Sequence, residues 1–354
     1  MPTYGSAGQP SASTFNYDAL VATSVANYRK TFTDNISTSN IFFKKLKDKD
    51  MWESADGGLY IAEDLMYGLA PTDSYDGYDE LPLTPSEGIT QAQYPWRQLA
   101  TPIAISEKER KMNKHRIVDL VAAKIMQAEI SMQEAWAKYF LQGQLADGGV
   151  GNLYTAKTSP VNGSSAFDPL GSLVMYNPAL SLSPGGIDQS TQTWWRNQST
   201  ASISSTYIAF IQEVLNLFNS CSKGPGGTPD FGISDQVTWE QLSVAYYQRY
   251  RTEATQVGDY PFPVLKFQGV EIGWDQFMPD VAAGTVTATE GSLYFLNSKF
   301  LKIRYEAETN FVTSDFKQPV NQDAKFKHIL WMGNATTNNR RKLGVMGSIQ
   351  RSMS

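Results

Sequence analysis

The chain has 354 residues, 41% of them hydrophobic and 18% charged, with a formal net charge of −5. That length and composition suit one elaborate domain or two ordinary ones around a substantial core, and they exclude a disordered chain. So mild a charge argues against a dedicated DNA-binding module, and the single cysteine, Cys221, excludes an internal disulfide or a thiolate zinc site.

The first 14 residues are rich in Gly, Ser, Ala and Pro, and lack both the basic start and the apolar run of a secretory signal. They read as a mobile terminus unless another surface orders them. A helix is predicted over Phe15–Thr31. The segment IFFKKLKDKDMW (41–52) then sets apolar residues beside Lys44, Lys45, Lys47 and Lys49.

Residues 53–100 predict a long hairpin. β-like pieces around Gly58–Met66 and Ile89–Ala100 flank a tip (67–88) rich in Asp, Gly, Pro and Tyr. From Glu53 to Arg97 there are nine acidic residues, one arginine and no lysine. A loop with so little aliphatic content builds no core of its own, so its role lies in contacts elsewhere.

Ser106 with Glu109 fits a capping box, with Asn113 a second possible start. From Ile117 to Phe140 apolar residues recur at three- and four-residue steps, which predicts a helix over 113–142 about 45 Å long. Residues 152–200 are irregular and contain GGIDQSTQTWWRNQ (185–198). Its first half is turn chemistry. Its second half sets Trp194 and Trp195 beside Arg196, and adjacent aromatics cannot share one face of a helix or strand.

A second amphipathic helix is predicted over 205–222, with Cys221 as a buried structural thiol on its apolar side. A strand FGIS (231–234) and a helix over 238–251 follow. Further strands are predicted at 263–274, 293–307, 325–333 and 342–349. No stretch approaches the roughly 18 uncharged apolar residues of a membrane span.

Signals for catalysis are weak. His115 and His328 have no carboxylate or nucleophile at a recognisable spacing. The cluster Asp73, Asp76, Asp79, Glu80 lacks the twelve-residue pattern of a calcium loop. GGIDQS lacks the lysine of a phosphate loop. The expectation is therefore no enzyme, no cofactor and no metal.

The order of parts is informative. An arm, an acidic aromatic hairpin, a long helix, the Trp-Trp-Arg-Asn segment, GGTPDFGIS…TWEQL (226–242), KFQGVEIGWDQFMP (266–279) and LYFLN (293–297) follow one another. This order resembles the major capsid proteins of tailed bacteriophages, which share the Hong Kong 97-like fold. The resemblance implies an α+β chain with an N-terminal arm at 1–50 and an extended β-hairpin loop at 51–104. It further implies a peripheral domain at 105–200 with a spine helix over 106–142, an axial domain at 201–300, and return strands at 301–354 completing the peripheral domain. Self-assembly into the icosahedral head shell around double-stranded DNA is implied, as hexamers and pentamers, with a portal and scaffold or cement proteins as partners. The location would be the virion, and the host cytoplasm during assembly.

On that resemblance, Tyr75, Tyr78, Trp194, Trp195 and Arg196 are candidates for contact between subunits. One tryptophan would fill the core while the other, with Arg196, meets a neighbour's loop or arm; the alternative buries both in one chain with Arg196 stacked over a ring. Lys44, Lys45, Lys47, Lys49, Arg340, Arg341 and Lys342 are candidates for a lumenal face making weak, non-specific contact with packaged DNA. The family's lysine–asparagine crosslink is doubtful, because the loop has no lysine. Two other readings remain: a shell of an encapsulin nanocompartment, and a carbohydrate-binding or hydrolase domain.

Overall fold

The computed structural model describes residues 41–79, 86–113, 120–148, 153–159, 162–201, 205–250, 265–278, 281–282, 285–286, 290–351 and 353. The terminus, the helix predicted at Phe15–Thr31, Glu80 and His115 lie outside them.

The described chain opens on helix α1 (Ile41–Asp48), followed by a short strand β1 (Trp52–Ser54). Strands β2 (Tyr60–Met66) and β3 (Ile89–Pro95) form the expected hairpin, antiparallel from Tyr60 opposite Pro95 to Met66 opposite Ile89. Strand β4 (Arg97–Ser106) leads into helix α2 (Glu107–Met112). The capping box is present: Ser106 Oγ accepts from Glu109 N–H, and the Glu109 carboxylate accepts from Ser106 N–H.

Of the spine helix expected from 106 to 142, the described residues hold two pieces. Asn113 closes α2, its N–H turning back to the carbonyls of Glu109 and Lys111, and the next described helix, α3, runs Leu120–Gln142. Those 23 residues span about 35 Å. A helical turn α4 (Leu170–Leu173) follows, then β5 (Gln198–Ala201), α5 (Tyr207–Ser222), β6 (Phe231–Ser234) and α6 (Gln236–Tyr250). The rest is strand: β7 (Leu265–Phe267), β8 (Val270–Trp274), β9 (Val281–Ala282), β10 (Thr285–Val286), β11 (Glu290–Leu296), β12 (Leu301–Thr313), β13 (Ala324–Thr337) and β14 (Gly344–Gln350).

The described chain divides into two compact units. The smaller comprises Ala100–Gln133 and Phe311–Leu330. In it Glu107 pairs with Arg110 and Lys325, and Lys317 and Phe326 exchange backbone hydrogen bonds in a ribbon that also holds His328.

The larger unit comprises 41–99, Glu134–Asn310 and Trp331–Ser354. It holds a six-stranded sheet in the order β5-β14-β11-β6-β8-β7. β14, within the 301–354 stretch expected to complete the peripheral domain, lies between β5 and β11 in this sheet. Helices α5 and α6 cover this sheet through Phe210, Val214, Leu217 and Leu242, against Ile272, Phe295 and Met346. Cys221 is buried here, and a Cβ on Gly344 would stand 2.5 Å from its sulfur. Burial pushes the thiol up to about 12. A second core is aromatic: Trp136 stacks on Phe140 and Phe167 and meets Trp52 and Trp331.

Candidate assembly interface

The hairpin has one inward face. Ile61, Glu63 and Leu65 of β2 and Ala92 and Tyr94 of β3 are buried, while Ala62, Asp64, Met66, Ile89, Gln91 and Gln93 face out. Alternation along a pleated strand produces this division. Tyr94 anchors the root. Its hydroxyl donates to the Thr337 carbonyl at 3.0 Å and accepts from the Thr337 N–H at 3.3 Å. Burial holds this phenol well above its ordinary range, so it stays a neutral donor.

Gly185 lies against that root. It adopts φ +66°, and a Cβ there would come within 2.9 Å of the Ala92 Cβ and 3.0 Å of the Tyr94 hydroxyl. Only glycine satisfies both demands. The double glycine of the sequence thus marks a close approach to the hairpin as well as a turn.

The two tryptophans differ in burial, and both meet their own chain. Trp195 is buried and donates from Nε1 to the Pro184 carbonyl. Trp194 is half-buried, donates to Gln192 Oε1 at 2.7 Å, and stacks on Tyr67 at the end of β2, with centroids 5.0 Å apart and planes 19° apart. Arg196 donates from Nε and Nη2 to the carbonyls of Gln189 and Ser190, so its guanidinium shapes its own loop.

Arg340 corrects the lumenal reading. It is 1% exposed. It donates to the Leu173 and Trp195 carbonyls, Gln189 Oε1 and Asn197 Oδ1, with its guanidinium 5.8 Å from the Trp195 ring centroid. Burial lowers its pKa to about 10, which leaves it charged at neutral pH. Lys342 is also buried, and its ammonium shares its three N–H donors among the carbonyls of Ser222, Lys223, Gly224 and Gly227 at the end of α5 and in the turn after it. Lys45 is buried too, paired with Glu271 at 3.2 Å. None of these three can line a lumen.

Lys47 and Arg341 are exposed and Lys49 is half-exposed, while the Lys44 side chain lies outside the described residues. Among the described residues no helix is long and apolar enough to cross a membrane.

Tyr75 and Tyr78 lie on the hairpin tip at 67% and full exposure, beside exposed Leu69, Met66 and Ile89. Two of the loop's acids belong to the body instead. Glu53 pairs with Lys302 and Arg304, and Glu63 accepts from Arg304 and from the Thr336 hydroxyl. The residues that organise this root, Tyr94, Gln189, Asn197 and Arg340, escape sequence reasoning. Only the Gly185–Gly186 pair signals it.

No family model matches the sequence and no curated protein matches it. Solved structures do match its fold. The cyanophage A-1(L) capsid asymmetric unit aligns with a TM-score of 0.64 at 11% identity, over 92% of this chain and 97% of that one. The holo-SrpI encapsulin complex from Synechococcus elongatus PCC 7942 aligns with a TM-score of 0.54 at 10% identity, over 96% and 97%. The capsid of Myoviridae phage XM1 aligns with a TM-score of 0.52 at 11% identity, over 92% and 97%. The chain has the Hong Kong 97-like fold, of mixed helix and sheet.

Proposed function

We propose that this chain is a major capsid protein that self-assembles into the icosahedral head shell of a tailed phage around double-stranded DNA. One observation carries the reading. The hairpin is anchored at its root by buried Tyr94, yet its tip presents Leu69, Tyr75 and Tyr78 with no core beneath them among the described residues. Aromatic side chains on a protruding ribbon are suited to burial against another surface, where Tyr and Trp carry much of the binding energy. The likeness to solved phage capsids supports the same reading.

In this reading residues 1–50 are the arm, 51–104 the extended loop, 105–200 the peripheral domain with part of 301–354, and 201–300 the axial domain. Subunits assemble as hexamers and pentamers with a portal, and with scaffold or cement proteins where the shell needs them. Lys44, Lys47, Lys49 and Arg341 remain as candidates for weak backbone contact with the packaged DNA. The encapsulin match favours a second reading, a protein nanocompartment of the same fold. Electron microscopy of the protein expressed with its neighbouring virion genes separates these readings. DNA-filled heads fit the first, and closed shells that capture an enzyme fit the second. A chain that stays monomeric with every partner present contradicts both.

A further inference from the structure

Where the hairpin lifts off the body, a cleft of about 340 Å³ opens, lined by Tyr67 and Thr90 on the ribbon and by Asp188, Thr191, Gln192 and Trp194 on the facing segment. On β3 the ribbon's inward face is buried at Ala92 and Tyr94 and half-buried at Thr90, which lines the cleft. The stacked rings of Tyr67 and Trp194 make one wall. Asp188 supplies the charge. Its Oδ1 accepts from Ser190 N–H and its Oδ2 from the Ser190 hydroxyl, which leaves each oxygen a further acceptor position.

The hairpin stretch 54–96 contains eight acidic residues and no Lys or Arg, and the facing segment 186–195 adds Asp188 and no Lys or Arg. Arg196, next in sequence, is turned onto the carbonyls of Gln189 and Ser190. Asp64 and Glu87 are exposed on the same ribbon. A carboxylate beside an aromatic wall in a negative field attracts a cation, through charge and through the ring faces together. A neutral sugar would use the rings and hydroxyls but gain nothing from the field.

We infer that this cleft receives a lysine or arginine side chain of a second copy of the chain, held by Asp188 against Tyr67 and Trp194. The inference rests on the shell reading, which surrounds each subunit with copies of itself, and it turns the GGIDQSTQTWW segment into a receptor at the foot of the ribbon.

Two experiments test it. In the first, the indole N–H resonance of Trp194, identified with Trp194→Phe, is followed in the unassembled full chain during titration with arginine methyl ester or methyl glucoside. The expected result is a saturable shift with the arginine ester that weakens at least about fivefold in Asp188→Asn, and none with the glucoside. A shift with the glucoside, no shift with either probe, or an arginine response indifferent to Asp188 overturns the inference. In the second, benzoylphenylalanine replaces Trp194 in particles mixed from isotopically light and heavy chains. Photocrosslinks should join heavy to light chains at a peptide bearing Lys or Arg. Crosslinks confined to one chain, or made to a different protein, overturn the second copy as occupant. Wild-type protein that forms no particle overturns the shell reading itself, whereas particles forming with undiminished yield from Asp188→Lys overturn only the cleft.

Discussion

Arg340 donates a 3.1 Å hydrogen bond to the carbonyl of Trp195 while its guanidinium lies 5.8 Å from the same residue's ring centroid. One buried cation thus fixes both the backbone and the side chain of the Trp-Trp-Arg-Asn segment. It also fixes Gln189 and Asn197, so the loop facing the hairpin root is organised from a residue about 145 positions downstream. Replacing it with methionine keeps volume but strands several buried acceptors, each worth about 1–3 kcal/mol. Arg340→Met should therefore lower stability by at least about 3 kcal/mol, and Arg341→Ala, at an exposed position, by less than about 0.5. Chemical denaturation of the two variants checks this. Equal stabilities would contradict the role given to Arg340.

Tyr94→Phe removes the hydroxyl that satisfies both Thr337 backbone groups. A loss of about 1–3 kcal/mol is expected, with amide exchange at the hairpin root accelerated more than in the six-stranded sheet. Exchange that rises uniformly through the chain would place the hydroxyl's effect elsewhere.

Among the described residues the hairpin tip contributes no core, so deleting residues 70–86 should leave the subunit folded, with an unchanged melting temperature to within a few degrees. Particle formation should fall to background. A variant that fails to fold would show that the tip belongs to the core.

Glu53 gives a pH dependence. Burial pushes its carboxyl up, but the hydrogen bond from Lys302 and the charges of Arg304 and Lys302 outweigh this and hold it below the ordinary carboxylate range. A carboxylate depressed in the folded state stabilises above its unfolded pKa, and that contribution disappears as pH falls through the folded pKa. The site is partly exposed, so Glu53→Gln should cost no more than about 1 kcal/mol at pH 7. The difference from wild type should vanish in acid, below the ordinary carboxylate range. A difference that grows on acidification would reverse the assignment.

Cys221 is sealed between α5 and β14, with its thiol pushed up to about 12. Native protein should resist iodoacetamide at pH 8 and react fully once unfolded. Rapid native alkylation would show that α5 opens readily.

Much of the fold was legible because hydrophobic period and turn chemistry are local. Phe210, Val214, Leu217 and Cys221 repeat at helical steps, and Ile61, Glu63 and Leu65 alternate on one strand face, so α5 and β2 could be placed from the chain alone. That α2 closes at Asn113 was legible only in part: Asn113 stood as a possible second start, but the turn of its N–H back onto Glu109 and Lys111 was not legible. Nor was the burial of Arg340, Lys342 and Lys45. The basic run Arg340–Lys342 reads as a solvent-facing charge cluster, and only tertiary structure supplies the carbonyls that take up the charges of Arg340 and Lys342. The place of β14 in the sheet is a long-range pairing with β5 and β11, invisible to any window along the sequence.

The central claim is that the ribbon from Tyr60 to Pro95 is shared between subunits of a closed shell. A cryo-electron microscopy reconstruction of the assembled particle tests it most directly. Density for residues 67–79 should lie across an adjacent subunit, with Tyr75 and Tyr78 buried there and Tyr94 unmoved at its own Thr337. Closed particles in which that ribbon stays exposed, or folds back onto its own subunit, would contradict it.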